Sequence, residues 1–276
     1  MVTPSDLLFN PATELRLKGL LADLPQGILL SGKPGVGLFS TAQYISQQIG
    51  YETHIVLPER QEVVDVEKGS ITVQSIRRLY SQTRTKTKGR LIIIDYAERM
   101  GVVAQNAFLK LLEEPTPNTH FILLSHDPRR LLPTVLSRIQ ELEVKPITRA
   151  QSEVLLDTLE VKESVRRSQL LFIAEGLPAE LIRLQNEYAF QARSAVVQDA
   201  RTFVTGTPYA RLKLAQAYKD NRDQALILLE DALKQLRMTA THTKDTATLK
   251  TINKLLAAYE RIAANGNIRL QLGAAL

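Results

Sequence analysis

The sequence predicts an α/β protein in which a parallel-sheet domain is followed by all-helical segments. Short runs rich in Ile, Leu and Val alternate with stretches of helical spacing in the first half of the chain, which is typical of β-α-β units. A glycine-rich loop joins the first of these runs to a helix. After Pro146 the strand signals fade, and apolar residues recur at helical spacing.

The predicted strands are the four apolar runs at 27–30, 54–57, 91–94 and 121–124. A first helix is predicted from about Leu38 to Gly50, because glycine favours helix C-termini. The second is predicted by a stripe of apolar and aromatic residues, Val73, Ile76, Leu79 and Tyr80. The third runs from about Val102 to Glu114, before Pro115.

Glycine, proline and asparagine interrupt the second half of the chain. Breaks are predicted at 176–178 and 206–208, and Asn265-Gly266-Asn267 is expected to end the last long helix. We therefore predict an α/β domain at 1–147, a small helical domain at 148–190 and a helical domain at 191–276. The apolar stripes of the last domain form its own core or include a face for partner subunits, and helical spacing does not separate these alternatives.

Composition limits the possible chemistry. Of the 276 residues none is cysteine, which excludes disulfides, thiolate zinc sites and a cysteine nucleophile, and the four histidines lack metal-site spacing. No apolar run could span a bilayer and no signal-peptide pattern opens the chain, so we expect a cytoplasmic protein with no membrane partner. The net charge of +6 allows contact with polyanions, but 5% aromatic content argues against a base-stacking platform.

The stretch GKPGVGLFS resembles a phosphate-binding loop that lacks its two functional side chains. Gly32 and Gly37 satisfy the G-x-x-x-x-G spacing, with Gly35 between them. The next two positions should be Lys and Ser or Thr, for phosphate and magnesium, and they are Leu38 and Phe39. Either the loop is kept for its shape, or it retains weak nucleotide binding through backbone N–H groups and the helix dipole.

The strand at 91–94 ends at Asp95, as in a Walker B element whose carboxylate holds magnesium. The following position would carry a glutamate as general base, and it is Tyr96. Asp95 is therefore either a degenerate Walker B residue or a residue that ends the strand and caps the next turn.

The segment from Ile92 to Arg138 resembles the AAA+ core of bacterial DNA polymerase III clamp-loader subunits. The resemblance rests on IIIDYAERM, on NAFLKLLEEP and on LLPTVLSR, and it extends to ITVQSIRRL, AEGLPAEL and RIAANGNIRLQL. It implies an AAA+ P-loop domain, a helical lid and an all-α collar domain. The degenerate loop is similar to that of the delta-prime type, a stator that does not hydrolyse ATP.

The resemblance implies that Ser137 and Arg138 match the S-R of the family's S-R-C motif. The arginine of that motif reaches the γ-phosphate of ATP bound by a neighbouring subunit. Arginine suits this role because it is permanently charged and bridges phosphate oxygens. The alternative is a surface ion pair of Arg138 with a carboxylate such as Glu141 or Glu143.

Several positions depart from the family pattern. Ile139 replaces the cysteine of S-R-C, the four-cysteine zinc module is absent, and Ala179 occupies the position of the lid arginine. His126 lies in the sensor-1 neighbourhood, as a phosphate contact or as an ordinary loop-end histidine. We therefore expect no bound cofactor and no intrinsic ATPase activity, with ATP and magnesium held by the neighbouring subunit.

Two regions are candidates for DNA contact. The basic run from Thr83 to Arg90 precedes a strand, so it lies at the amino end of the sheet and is expected to be a solvated loop. The helix from about Val102 corresponds to one that faces primer-template DNA in clamp loaders, and Gln105 and Asn106 near its start are predicted to face DNA phosphates.

The predicted function is that of a non-hydrolysing clamp-loader subunit. Its implied partners are gamma/tau and delta subunits, primer-template DNA within the complex, and the sliding clamp. Two alternatives remain at this point: an active or nucleotide-binding gamma/tau-like ATPase, and a free-standing DNA-binding adaptor.

Overall fold

The structure is a computed structural model that describes residues 7–83, 88–114, 116–240 and 246–275. Its contacts divide the chain into two units, one ending at Ile182 and one from Arg183 to Leu276. The predicted boundaries after residues 147 and 190 rest on the sequence and on the family resemblance. They remain predictions.

The first unit is built on a five-stranded parallel sheet. Along the chain its strands are β1 (Gly27–Ser31), β2 (Glu52–Val56), β5 (Arg90–Ile94), β6 (Thr119–Ser125) and β7 (Gln140–Glu143), in the spatial order β2-β5-β6-β1-β7. The four predicted strands correspond to β2, β5, β6 and β1, which are neighbours in the sheet. The α/β fold class is confirmed. Two short strands between β2 and β5, β3 (Glu59–Arg60) and β4 (Val63–Val64), form a separate antiparallel hairpin.

Sequence reasoning missed β7 and the hairpin. Strand β7 reads Gln-Glu-Leu-Glu, and only Leu142 is buried. An edge strand with one apolar side chain carries too little periodicity to be detected. The hairpin strands are two residues long, which is below the length at which alternation is visible.

Helices α1 (Pro11–Ala22) and α2 (Leu38–Ile49) cover one face of the sheet, and α3 (Val73–Thr83) and α4 (Val102–Glu113) cover the other. The remaining helices before the second unit are α5 (Pro133–Leu136), α6 (Arg149–Thr158), α7 (Ser164–Ala174) and α8 (Pro178–Arg183), whose last residue is assigned to the second unit. As predicted, α2 ends at Gly50, whose φ is +66°. Helix α4 ends one residue earlier than predicted, and Pro115 lies outside the described residues.

Alternating strand residues enter two separate cores. Leu29, Ile92 and Leu123 pack with apolar residues of α3 and α4 on one face. Ile28, Ile93 and Ile122 pack with residues of α1 and α2 on the other. Because the strands are parallel, the loops after β1, β5 and β6 lie at one edge of the sheet, where ligands of open α/β sheets bind.

The second unit is helical and has a core of its own. Its helices are α9 (Glu187–Thr205), α10 (Pro208–Ala217), α11 (Arg222–Ala240), α12 (Thr246–Ala263) and α13 (Ile268–Ala274). The predicted breaks at 206–208 and 265–267 are confirmed. Apolar residues of all five helices form one cluster, including Phe203, Ala215, Leu229, Leu255 and Leu272.

Within the described ranges, no helix combines the length and apolar character that a bilayer crossing requires. Over the same part of the chain, no group of three or more His, Cys, Asp or Glu side chains is placed to bind a metal ion.

Candidate nucleotide-loop and arginine-finger sites

The glycines of the degenerate loop make the turn from β1 into α2. Gly37 precedes the helix with φ +96° and ψ +37°, a left-handed conformation that glycine adopts without strain. A Cβ on Gly32 would lie 2.8 Å from the carbonyl oxygen of Val144, so only glycine allows this close approach. The loop therefore keeps the backbone course that its sequence predicts.

Apolar side chains fill the space beneath this loop. Leu38, in the position of the phosphate-binding lysine, is 4% exposed and belongs to the same core cluster as Val36 and Leu30. Phe39 packs against that cluster. The hydroxyl of Thr41 is buried and donates to the carbonyl oxygen of Gly37, at 2.8 Å. These positions present no cation and no available hydroxyl to a phosphate or to magnesium.

The segment at the start of α8 covers the loop from outside. The backbone N–H of Ala179 donates to the carbonyl oxygen of Gly35, at 3.1 Å, and Leu177 packs against the core cluster beneath the loop. Ala179 stands where the family pattern has the lid arginine. Residues 177–179 are thus held against the loop by a backbone hydrogen bond and by apolar packing.

Asp95 and Tyr96 occupy the Walker B position. The Asp95 carboxylate accepts a hydrogen bond from the Tyr96 N–H, at 2.9 Å. Burial raises the pKa of Asp95 above its ordinary value, although this hydrogen bond and the charge of His126 act in the opposite direction. The Asp95 carboxylate thus binds a backbone N–H just after the strand.

Tyr96 is held between two side chains in place of a catalytic glutamate. Its backbone is left-handed, at φ +53°. The Arg99 guanidinium lies 5.0 Å from the ring centroid, and the His126 ring meets it edge-on at 6.0 Å. Nδ1 of His126 is 2.8 Å from the carbonyl oxygen of Gly32, so this histidine joins the end of β6 to the loop.

An open cleft of about 560 Å³ remains beside the loop. Its lining mixes both signs of charge: Arg16, Lys33, His126, Glu141 and Glu143, with Ser31. The Ser31 hydroxyl donates to a carboxylate oxygen of Glu141, at 2.5 Å. The two carboxylates thus offset the positive charge of Arg16 and Lys33 in this lining.

Ser137 and Arg138 follow the short helix α5 on the surface of the first unit. Arg138 is 41% exposed, and its Nη2 lies 2.9 Å from Oε1 of Glu113. Its Nη1 donates to the carbonyl oxygen of Thr134, at 3.0 Å, and to the Ser137 hydroxyl, at 3.3 Å. The partners suggested by spacing, Glu141 and Glu143, line the cleft beside the loop instead.

The prediction that Gln105 faces DNA is wrong. Gln105 is 2% exposed, and its Nε2 donates to the carbonyl oxygens of Met100, at 2.9 Å, and Arg130, at 3.1 Å. Its Oε1 accepts from the N–H of Leu132, at 2.7 Å. Asn106, one position further along α4, is exposed, as its prediction requires.

The basic run from Thr83 to Arg90 is only partly described, because residues 84–87 lie outside the described ranges. Arg90 is buried at the start of β5, so it is not part of a solvated loop. Strand β5 is a parallel strand, and its first residue lies at the amino edge of the sheet, as predicted.

The first unit matches a known protein family. Residues 18–148 match the family model described as DNA polymerase III, delta subunit. The chain is 34% identical over 135 residues to DNA polymerase III subunit delta' of Pseudomonas aeruginosa, covering 48% of this chain and 41% of that protein. It is 31% identical over 149 residues to the subunit delta' of Bacillus subtilis, covering 53% and 43%. The matched part thus spans less than half of these two relatives.

Solved structures share the fold. A DNA polymerase III gamma subunit-related protein from Thermotoga maritima superimposes with a TM-score of 0.54 at 17% identity, covering 95% of this chain and 96% of that one. At this identity the likeness concerns the fold alone, and it agrees with the sheet described above, an α/β AAA+-like arrangement.

Proposed function

We propose that this chain is a clamp-loader subunit of the delta-prime type and that it serves the clamp loader without hydrolysing ATP itself. The family match of residues 18–148 and the similarity to subunits delta' support this proposal. It supplies Arg138 as an arginine finger to ATP held by a neighbouring subunit during loading of the sliding clamp onto primed DNA. One contrast carries the proposal: Leu38 is buried where an active loop needs a lysine, whereas Arg138 is exposed.

The residues of the degenerate loop argue against hydrolysis of ATP by this chain itself. A working site needs a cation on the β- and γ-phosphates, a hydroxyl on magnesium and a base near the attacking water. The corresponding positions hold Leu38, Phe39 and Tyr96. Because two of these side chains pack in or against the core, their replacement is built into the packing of the domain.

The exposed position of Arg138 favours action on a neighbouring subunit. Arg138 follows a helix end, and its guanidinium is charged at every physiological pH. An arginine supplied in trans raises phosphoryl-transfer rates by roughly 10³ to 10⁵ in the GTPases where it is best measured. The partner that fits is a gamma/tau-like subunit with intact ATP and magnesium sites.

We assign the remaining partners by the same resemblance. A delta subunit and the sliding clamp complete the proposed assembly, and exposed groups at the start of α4, Asn106 among them, face primer-template DNA. This contact is made to phosphates and does not read sequence.

The experiment replaces Arg138 with Ala in a complex reconstituted with the gamma/tau and delta subunits of the same source. We expect DNA- and clamp-stimulated ATP hydrolysis to fall while assembly stays unchanged, because the substitution removes the charge at the neighbour's γ-phosphate and, within this chain, exposed contacts to Glu113, Thr134 and Ser137. The matched control is Arg149→Ala, which removes an exposed arginine paired with Glu153 on α6. An unaltered rate in Arg138→Ala contradicts the finger.

The two alternative functions have their own measurements. Magnesium-dependent binding and turnover of a fluorescent ATP analogue by the chain alone would identify an active ATPase. Tight, salt-sensitive binding of duplex DNA by the chain alone would identify a free-standing adaptor.

A further inference from the structure

The Arg138 guanidinium is engaged by its own subunit. Nη2 pairs with Glu113, the last residue of α4, at 2.9 Å, and Nη1 binds the carbonyl oxygen of Thr134. A finger presents Nη atoms to phosphate oxygens, and the Glu113 carboxylate occupies the guanidinium at Nη2. A phosphate that binds at Nη2 therefore competes with Glu113.

Glu113 lies at a helix end that is unfavourable for a carboxylate. The C-terminal end of a helix is its negative end, where a carboxylate is disfavoured and a cation is stabilised. Helix α4 nevertheless ends in Glu113, followed by Glu114. A cation held at this end relieves the repulsion. The last turn of α4 carries Lys110, and Arg138 is the cation that forms an ion pair with Glu113.

Polar contacts link both ends of α4 to residues 130–138, and the contacts at the two ends differ in kind. At the start of α4, Gln105 binds the backbone at Arg130 and Leu132, and this neutral contact is buried. At the end of α4, the side chains of Glu113 and Arg138 are 49% and 41% exposed. Because solvent screens exposed ion pairs, the contact at the end of α4 is weak and is exchanged more readily than the buried one.

We infer that Glu113 is a positioning residue for Arg138: it holds the guanidinium on its own subunit until the γ-phosphate of the neighbour's ATP displaces it. This inference rests on the proposed function. The phosphate succeeds because its oxygens carry more negative charge than one carboxylate and accept from both Nη atoms. Glu113 then becomes solvated, and the free-energy cost is small because its side chain is already half exposed.

The displacement takes place when ATP is bound, before its bond breaks. Removing the charge of Glu113 should therefore lower the KM for ATP at the adjoining site and leave kcat unchanged, whereas removing Arg138 lowers kcat. From the contribution of an exposed ion pair, we expect the KM to fall about two- to fivefold.

The test uses Glu113→Gln in the reconstituted complex, because glutamine keeps the size and a hydrogen-bond acceptor and loses only the charge. ATP hydrolysis is measured against ATP concentration, and the curve of the Arg138→Ala complex is subtracted to isolate the site beside this chain. Glu114→Gln is the matched control, a neighbouring carboxylate at the same helix end. It should leave the curve unchanged.

The outcomes separate the two proposals. A lower KM in Glu113→Gln, with kcat unchanged and Glu114→Gln like the wild type, supports the resting pair. An unchanged KM, or a kcat lowered as in Arg138→Ala, overturns it and leaves the finger in place. An unaltered rate in Arg138→Ala overturns the proposed function itself. Circular dichroism and elution with the partner subunits confirm that each variant folds and assembles.

Discussion

Gln105 uses both ends of its side-chain amide inside the protein. The amide connects the start of α4 to the carbonyl oxygen of Arg130 and to the N–H of Leu132, where α5 begins. Ser137 and Arg138 follow α5 directly. The residue therefore helps to determine where the proposed finger lies, from a buried position inside the protein.

Replacing Gln105 with Ala should lower the free energy of unfolding by about 2–4 kcal/mol, because buried backbone groups lose their partners and a cavity forms. Urea denaturation of the full chain measures this. Asn106→Ala, at the exposed neighbouring position, should change it by no more than about 0.5 kcal/mol. Equal midpoints for the two variants would show that the Gln105 contacts contribute nothing.

At the scale of elements, helices α9 and α11 are joined by a largely buried ion pair. Arg193 of α9 binds both carboxylate oxygens of Asp231 in α11, and the Nη2 to Oδ1 distance is 2.8 Å. Their side chains are 16% and 8% exposed, and both helices also contribute residues such as Ala200 and Ala232 to the helical core. The two-pronged geometry fixes the pairing of these helices more specifically than apolar contact does.

Asp231→Ala should destabilise the second unit by about 3–5 kcal/mol, because it leaves the guanidinium of Arg193 without its main compensating charge. Thermal unfolding followed by circular dichroism measures the loss. Asp220→Ala is the control, since Asp220 is 85% exposed and pairs only at 3.7 Å with Lys219. If both variants melt at the same temperature, the ion pair does not stabilise the helix pair.

At the scale of the whole molecule, the apolar cores follow the division into two units. Every residue of the helical core lies between Val196 and Ala275, and both sheet cores lie before Ile182. Since burial of apolar surface is the main stabilising term in folding, each unit has its own driving force.

We therefore expect the fragment from Arg183 to Leu276 to fold alone, as a helical protein with a cooperative thermal transition. Circular dichroism and amide NMR dispersion of the purified fragment check this. The control is the same fragment with Leu229→Ala, which removes a fully buried side chain and should lower the midpoint. A fragment that is helical but melts without cooperativity would contradict the independence of this core.

Much of the first unit could be predicted from the sequence because its signals are local. The four predicted strands are continuous apolar runs, as expected where both faces of a parallel sheet are covered. The start and end of α2 follow from Gly37 and Gly50. Strand β7 escaped prediction because an exposed edge strand carries one buried residue and no such run.

The candidate sites divide in the same way. The chemical identities of Leu38, Phe39, Tyr96 and Arg138 are read directly from the sequence, and with them the loss of the phosphate, magnesium and base groups. The direction in which each side chain points cannot be read from the sequence in this way. Gln105 lies on α4 next to exposed Asn106, and helical spacing alone did not reveal that it binds Leu132, 27 residues away.

Residue types alone were sufficient to predict the succession of strands and helices, the backbone course of the loop and the loss of its catalytic side chains. These features depend on residue type and on neighbours a few positions apart. Three-dimensional packing was needed to show that Leu38 is buried beneath the loop, that Ala179 binds Gly35, and that Arg138 pairs with Glu113. Each of these contacts joins segments that are distant in the chain, and packing alone brings such segments together.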